Sequence, residues 1–177
     1  CLVLFMENGA PTIVKRRFVE TYPFQKLFEL YIMDDNGDKR DQTVQLIGRL
    51  ERLLPNYDLV IVTDYGHGML GPEAIDLLCS KARFLAVNTQ VNAGNRNFNT
   101  ITKYSRADFI CISEDEIRLA VRSRTRDLQD IVMEIADQLH CNQVIITQGR
   151  RGCLCYNKQV DFFEVPALAT SVVDRMG

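Results

Sequence analysis

No apolar run in this sequence approaches the roughly 20 residues needed to span a bilayer. The longest, Leu2 to Met6 and Leu59 to Val62, are far shorter, and with no basic n-region before Cys1 a signal peptide is not expected. Neither charge sign dominates: 21 Lys and Arg face 23 Asp and Glu, a formal net charge of -2. That balance offers no general attraction for nucleic acid or an anionic membrane. The two histidines, His67 and His140, are isolated, and none of the six cysteines forms a Cys-x-x-Cys pair, so no zinc set is expected. Cys1, Cys79, Cys111, Cys141, Cys153 and Cys155 read as free, packed thiols of a reducing cytoplasm, with Cys153 and Cys155 on one face of a strand. The alternating oxygens of Asp34, Asn36 and Asp38 resemble a calcium loop superficially, but Gly37 is out of place and Gln45 stands where the bidentate Glu belongs. Also missing are a Walker A pattern, a dinucleotide glycine fingerprint after a strand and a Ser nucleophile elbow.

What is present is a chain of 177 residues, 46% hydrophobic and 25% charged, sized for one globular domain. Its most informative stretch runs from Leu59 to Leu70. An unbroken apolar run, suited to a parallel strand covered on both faces, delivers Asp64, Gly66 and Gly68 to a sharp turn, and Pro72 then opens a helix. Ligands of open α/β sheets sit outside the carboxyl ends of the strands, where this turn falls. The competing reading is a strand-to-helix loop whose Asp caps something.

Around it the pattern alternates. Residues 12–20 and 26–33 predict two strands of a hairpin or ribbon rich in aromatics, and Asp34 to Asp38 predicts a hinge. Apolar residues from Val44 to Leu54 recur at helical spacing and stop before Pro55. Strands are predicted at 84–88, 108–112 and 143–147, helices at 72–82, after Ser113 and at 128–139, and two further strands at 152–156 and 160–165. A long loop with Asn92, Asn95, Asn97 and Asn99 follows the strand ending at Asn88. This order predicts an α/β fold with a mainly parallel sheet and antiparallel strands near the end.

Three strand ends carry polar groups suited to one ligand: Asn88 with its loop, Ser113 to Glu116, and Thr147 to Gly152. Ser113-x-x-Glu116 fits a capping box; it also places a carboxylate beside a helix start, where backbone donors favour phosphate and Glu116 is suited to hydrated magnesium. Thr147, Gln148, Gly149, Arg150, Arg151 and Gly152 combine a hydroxyl, glycines and cations, a composition that suits nucleotide phosphates.

In sequence order, Asp64-Tyr-Gly66-His-Gly68, Val87-Asn88, Ser113-x-x-Glu116, Thr147-Gln-Gly149-x-x-Gly152 and Val172-Val-Asp174-Arg-Met-Gly177 resemble the PfkB/ribokinase family of sugar kinases. The branch most resembled is the heptose-7-phosphate kinase half of bifunctional ADP-heptose synthases, and the likeness covers nearly the whole chain. It implies a ribokinase-like domain over residues 1–177, with a β lid at 12–33 and a nucleotide-binding core at 41–177. It implies ATP, Mg2+ and a monovalent cation as cofactors, a sugar phosphate as substrate, and a homodimer formed through the lid. Ser113, Glu116, Thr147, Gln148, Gly149, Gly152 and Gly177 would line the nucleotide; Asp64, Gly66, Gly68 and Asn88 the sugar; Glu116 and Asp174 would hold the metal. Asp174 to Gly177 would begin the Asp-x-x-Gly-Ala-Gly-Asp signature, whose amides form an anion hole and whose last Asp is the catalytic base. The chain stops before that Asp and starts with Cys1 rather than Met, which reads as the central fragment of a longer kinase, inactive by itself. Ser113 replaces the usual Asn, Asn88 a common Asp, and Gln148 a Lys or Arg, the last two swaps removing charge from the expected site. The alternatives are a non-catalytic nucleotide- or sugar-binding module of the same fold, or a structural dimerisation piece.

Overall fold

A computed structural model describes residues 13–22, 24–32, 40–92, 95 and 98–168. They fall into two compact units, a ribbon with residues up to 42 and a body of residues 43–168. The Asp34 to Asp38 hinge, Asn97, Asp174 and Gly177 lie outside the described residues.

The ribbon pairs β1 (Val14–Thr21) with β2 (Phe24–Ile32) antiparallel in a sheet of their own. Strand alternation sorts its side chains. Val14, Phe18, Phe28, Leu30 and Ile32 share one face, on which Phe18 and Phe28 stack 4.3 Å apart. Lys15, Arg17, Glu29 and Tyr31 share the other. A register shift after Phe18 admits Leu27 as an extra residue, the signature of a bulge.

The body is built on six strands in the order β3 (Val60–Asp64), β4 (Leu85–Thr89), β5 (Phe109–Ser113), β6 (Gln143–Thr147), β7 (Cys153–Asn157) and β8 (Asp161–Val165). The first four are parallel and the last two return as antiparallel hairpins, the mixture expected from the sequence. Preceding the sheet, α1 (Arg40–Leu53) ends in a short turn at Pro55. Pro72 starts α2 (Pro72–Lys81), Ser113 caps α3 (Glu114–Ala120), and the Asp127 carboxylate caps α4 (Leu128–Gln138) by accepting from Gln129 N at 2.8 Å. The last two helices close without glycine. Arg122 and His140 take positive φ while Ser123 N and Cys141 N reach back to the carbonyls of Arg118 and Ala136.

Ile75 and Leu78 of α2, Ile117 of α3, and Ile131 and Ile135 of α4 pack on alternate strand residues, among them Val62, Val87, Ile110, Val144 and Ile146. This is the core. On the opposite face Ala86 and Cys155 are buried, but Ile61 is 68% exposed and Phe163 48%. The expectation that the Leu59 to Val62 strand is covered on both faces is therefore corrected. Among the described residues β3 stands at the edge of the sheet, with Val62 and Asp64 its buried positions, because periodicity reports how apolar a strand is and not where it stands in the sheet.

Candidate active site at the strand ends

Because β3 to β6 run parallel, the polar groups at their carboxyl ends share one edge of the sheet, in register: Thr63 beside Asn88, Asp64 beside Thr89, Ser113 beside Thr147. The sequence picks out these four ends and the fold brings them side by side.

At β5, both halves of the capping box form. Ser113 Oγ accepts from Glu116 N at 3.3 Å, and Glu116 Oε2 accepts from Ser113 N at 2.7 Å and lies 2.7 Å from Ser113 Oγ. The second oxygen, Oε1, accepts from Val91 N at 3.0 Å, tying the loop after β4 to the start of α3. A carboxylate has about four lone-pair positions, so Glu116 retains acceptor capacity after these bonds. That fits one outer ligand of a hydrated magnesium, which usually takes one or two carboxylates together with substrate phosphates. No cluster of three His, Cys, Asp or Glu able to hold a metal occurs among the described residues.

Glu114, which sequence reasoning passed over, is the hub of the neighbouring loop. It accepts from Arg118 Nε at 2.9 Å and Gln148 Nε2 at 3.0 Å, and pairs with Arg151. Burial pushes its carboxyl up, but the bonds from Gln148 and Arg118 and the Arg151 charge bring it below its ordinary value. Gln148 and Arg151 are thus held on α3, while Thr147 and Gly149 stay exposed at the rim. Gly152 closes the loop at φ +91. Spacing records only the Arg118 partner, four positions on; Gln148 and Arg151, which make Glu114 a hub, lie 34 and 37 positions away.

Asn88 donates from Nδ2 to Cys111 O at 2.7 Å, bridging β4 and β5 beyond their last paired residues, Val87 and Ile110. Its side-chain oxygen remains. At β3 the Asp64 carboxylate turns inward and is 5% exposed, bonded to Gly66 N, Tyr104 Oη and Lys103 Nζ. Gly66 and Gly68 both take positive φ, as a sharp turn needs, and Gly68 is exposed. Five free cysteines are described; Cys153 Sγ lies 3.9 Å from Cys155 Sγ on one strand face, and burial pushes the Cys141 thiol up to about 11.

A model of the pfkB family of carbohydrate kinases matches residues 28–177. The chain belongs to that family. Among relatives, it is 25% identical over 183 residues to the bifunctional protein HldE of Bradyrhizobium sp. (strain ORS 278), covering 99% of this chain and 36% of that protein. Two solved structures share the fold. Ribokinase from Giardia lamblia superposes with a TM-score of 0.63 at 17% identity, over 93% of this chain and 50% of that one. Phosphofructokinase-2 from Escherichia coli, in complex with fructose-6-phosphate, gives 0.63 at 12% identity, over 89% and 52%. The chain thus spans about a third of the curated relative and half of the solved chains. This pfkB chain has the ribokinase-like fold that its motif order resembles, and no helix among its described residues is long and apolar enough to cross a membrane.

Proposed function

We propose that the full-length protein is a cytoplasmic, ATP-dependent kinase that transfers the γ-phosphate to a hydroxyl of a sugar phosphate, a heptose phosphate first among candidates. The observation that carries the reading is the meeting, on one sheet edge, of Asn88, the Ser113 to Glu116 helix start and the Thr147 to Gly152 loop in a chain of the pfkB family. In it, Ser113, Thr147, Gln148, Gly149 and Gly152 line the nucleotide together with Gly177, and Gly66, Gly68 and Asn88 line the sugar. Glu116 and Asp174 would hold magnesium, whose charge offsets that of the phosphates; a monovalent cation is the further cofactor. Phosphoryl transfer asks a protein mainly for positioning and electrostatic stabilisation, which backbone amides and capped helix starts supply. The apolar face of the ribbon, with Phe28 51% and Ile32 48% exposed, joins two copies into a homodimer. The second reading, a module that binds nucleotide or sugar without turnover, is favoured by Ser113, Asn88 and Gln148, all neutral and all engaged within the protein.

Two measurements on the full-length protein decide. With heptose 7-phosphate, ADP release that requires magnesium supports the kinase; nucleotide binding without ADP release supports the module. Glu116→Gln is expected to weaken magnesium ATP binding by about tenfold in calorimetric titration, ~1.4 kcal/mol. A lower melting temperature with unchanged ATP affinity would reduce Glu116 to its capping role.

A further inference from the structure

The geometry points to Asp64 as a positioning residue: its buried carboxylate clamps the Tyr65 to Gly68 turn and the loop that follows β4 into one rim, and that rim sets the affinity for the acceptor sugar. The assignment of the rim to an acceptor rests on the kinase reading above.

A carboxylate out of water is tolerated only when donors surround it. Asp64 draws three from two stretches of the chain: Gly66 N at 2.9 Å to Oδ1, and Tyr104 Oη at 2.7 Å and Lys103 Nζ at 2.5 Å to Oδ2. Burial first, and then the Asp64 carboxylate, push the Tyr104 phenol well above its ordinary value, so its hydroxyl remains a donor throughout the working range. Lys103 carries the link onward, donating to Asn99 Oδ1 at 2.5 Å. Asn99 Nδ2 returns to the carbonyls of Asp64 at 2.8 Å and Gln90 at 3.0 Å. Asn95 Nδ2 reaches the carbonyls of Tyr65 at 2.6 Å and Gln90 at 2.9 Å, and Gln90 N donates to Asp64 O at 2.9 Å. Asn95 and Asn99 are therefore fasteners. Asn95 and Asn99 are 4% and 1% exposed, and they occupy the space beside Gly66, where a Cβ would lie 2.4 Å from Asn95 Nδ2.

The inner side of the turn is thus locked, while Tyr65 is 52% exposed and Met69, just beyond the turn, 63%, at the end of β3 that lies beside Asn88. Holding a binding surface in one conformation before the ligand arrives lowers the ordering cost of binding. At 5% exposure the Asp64 carboxylate acts through the backbone it holds, without touching the sugar.

The test uses the full-length protein with heptose 7-phosphate, fructose 6-phosphate and ribose as acceptors. Tyr104→Phe keeps the ring and deletes one donor; Lys103→Met deletes the cation; Lys103→Arg restores it. Both deletions should raise the acceptor KM about fivefold or more, with the ATP KM within about twofold, and Lys103→Arg should recover most of the loss. A folded deletion variant whose acceptor KM stays within about twofold, or whose two KM values rise together, overturns the positioning role. Lys103, with a side chain 25% exposed, keeps the test decisive where Tyr104→Phe lowers the yield of folded protein. A wild-type protein that phosphorylates none of the three acceptors overturns the kinase reading, and the rim's acceptor role falls with it.

Discussion

Gly152 has no room for a side chain. At φ +91 an added Cβ would sit 2.0 Å from the Val165 carbonyl oxygen and 2.7 Å from Ala167 N, both backbone atoms that cannot swing aside. The position combines a dihedral region costly to other residues with a hard clash, so Gly152→Ala should destabilise by about 2–4 kcal/mol. Urea denaturation measures it, and an unchanged midpoint would contradict the account. Sequence reading flagged Gly152 and Gly66 as residues near phosphate or sugar. The structure adds a steric need at both, a close neighbour lying on the side where Cβ would stand. Single letters can mark such positions but cannot name the neighbour, since Val165 comes from another strand and Asn95 and Asn99 from another loop.

At the scale of elements, the ribbon explains how a two-stranded sheet with little burial holds its register. Glu29 lies opposite Arg17 and gathers Arg17 Nε at 2.8 Å, Lys15 Nζ at 3.3 Å and Lys26 Nζ at 3.7 Å. Loss of hydration raises its carboxyl, but hydrogen bonds from Tyr31, Arg17 and Lys15 outweigh that and bring it down to about 2 from 4.5. A folded value below the unfolded one gives stabilisation that is complete above about pH 4.5 and is lost as the pH falls toward 2. A carbon-detected NMR titration should place the Glu29 midpoint near 2, and Arg17→Met should move it up; a wild-type midpoint near 4.5 would sink the network. Element identity was legible throughout: every predicted strand and helix within the described residues is present, with ends displaced by a residue or two. Helix ends were less so. Arg122 and His140 close their helices where glycine is customary, and no residue preference foretells that choice.

For the whole molecule, two apolar surfaces set the expectations. One is the ribbon face of Phe18, Phe28, Leu30 and Ile32; the other is the sheet face of Ile61 and Phe163. An isolated hairpin is marginal in water, and a second copy of the same face is self-complementary about a twofold axis, which is the physical ground for the proposed dimer. Analytical ultracentrifugation of the full-length protein should show a dimer, and Phe28→Arg should shift it toward monomer without changing the circular dichroism spectrum. A monomeric wild type, or a variant that stays dimeric, would remove the ribbon from the interface.

By itself the sequence determined what depends on near neighbours: the run that makes β3, the Pro72 start of α2, the Ser113 to Glu116 box, and the motif order that resembles the pfkB family. These follow from interactions within a few positions, which spacing records. Only the tertiary structure decided that β3 stands at the sheet edge among the described residues, that Glu114 gathers Gln148 and Arg151, and that Asp64 turns away from solvent to meet Lys103 and Tyr104. Those partners stand 34 to 40 positions apart, brought together by crossovers between parallel strands. A buried carboxylate and a ligand carboxylate are the same letter, and only the surrounding donors distinguish them.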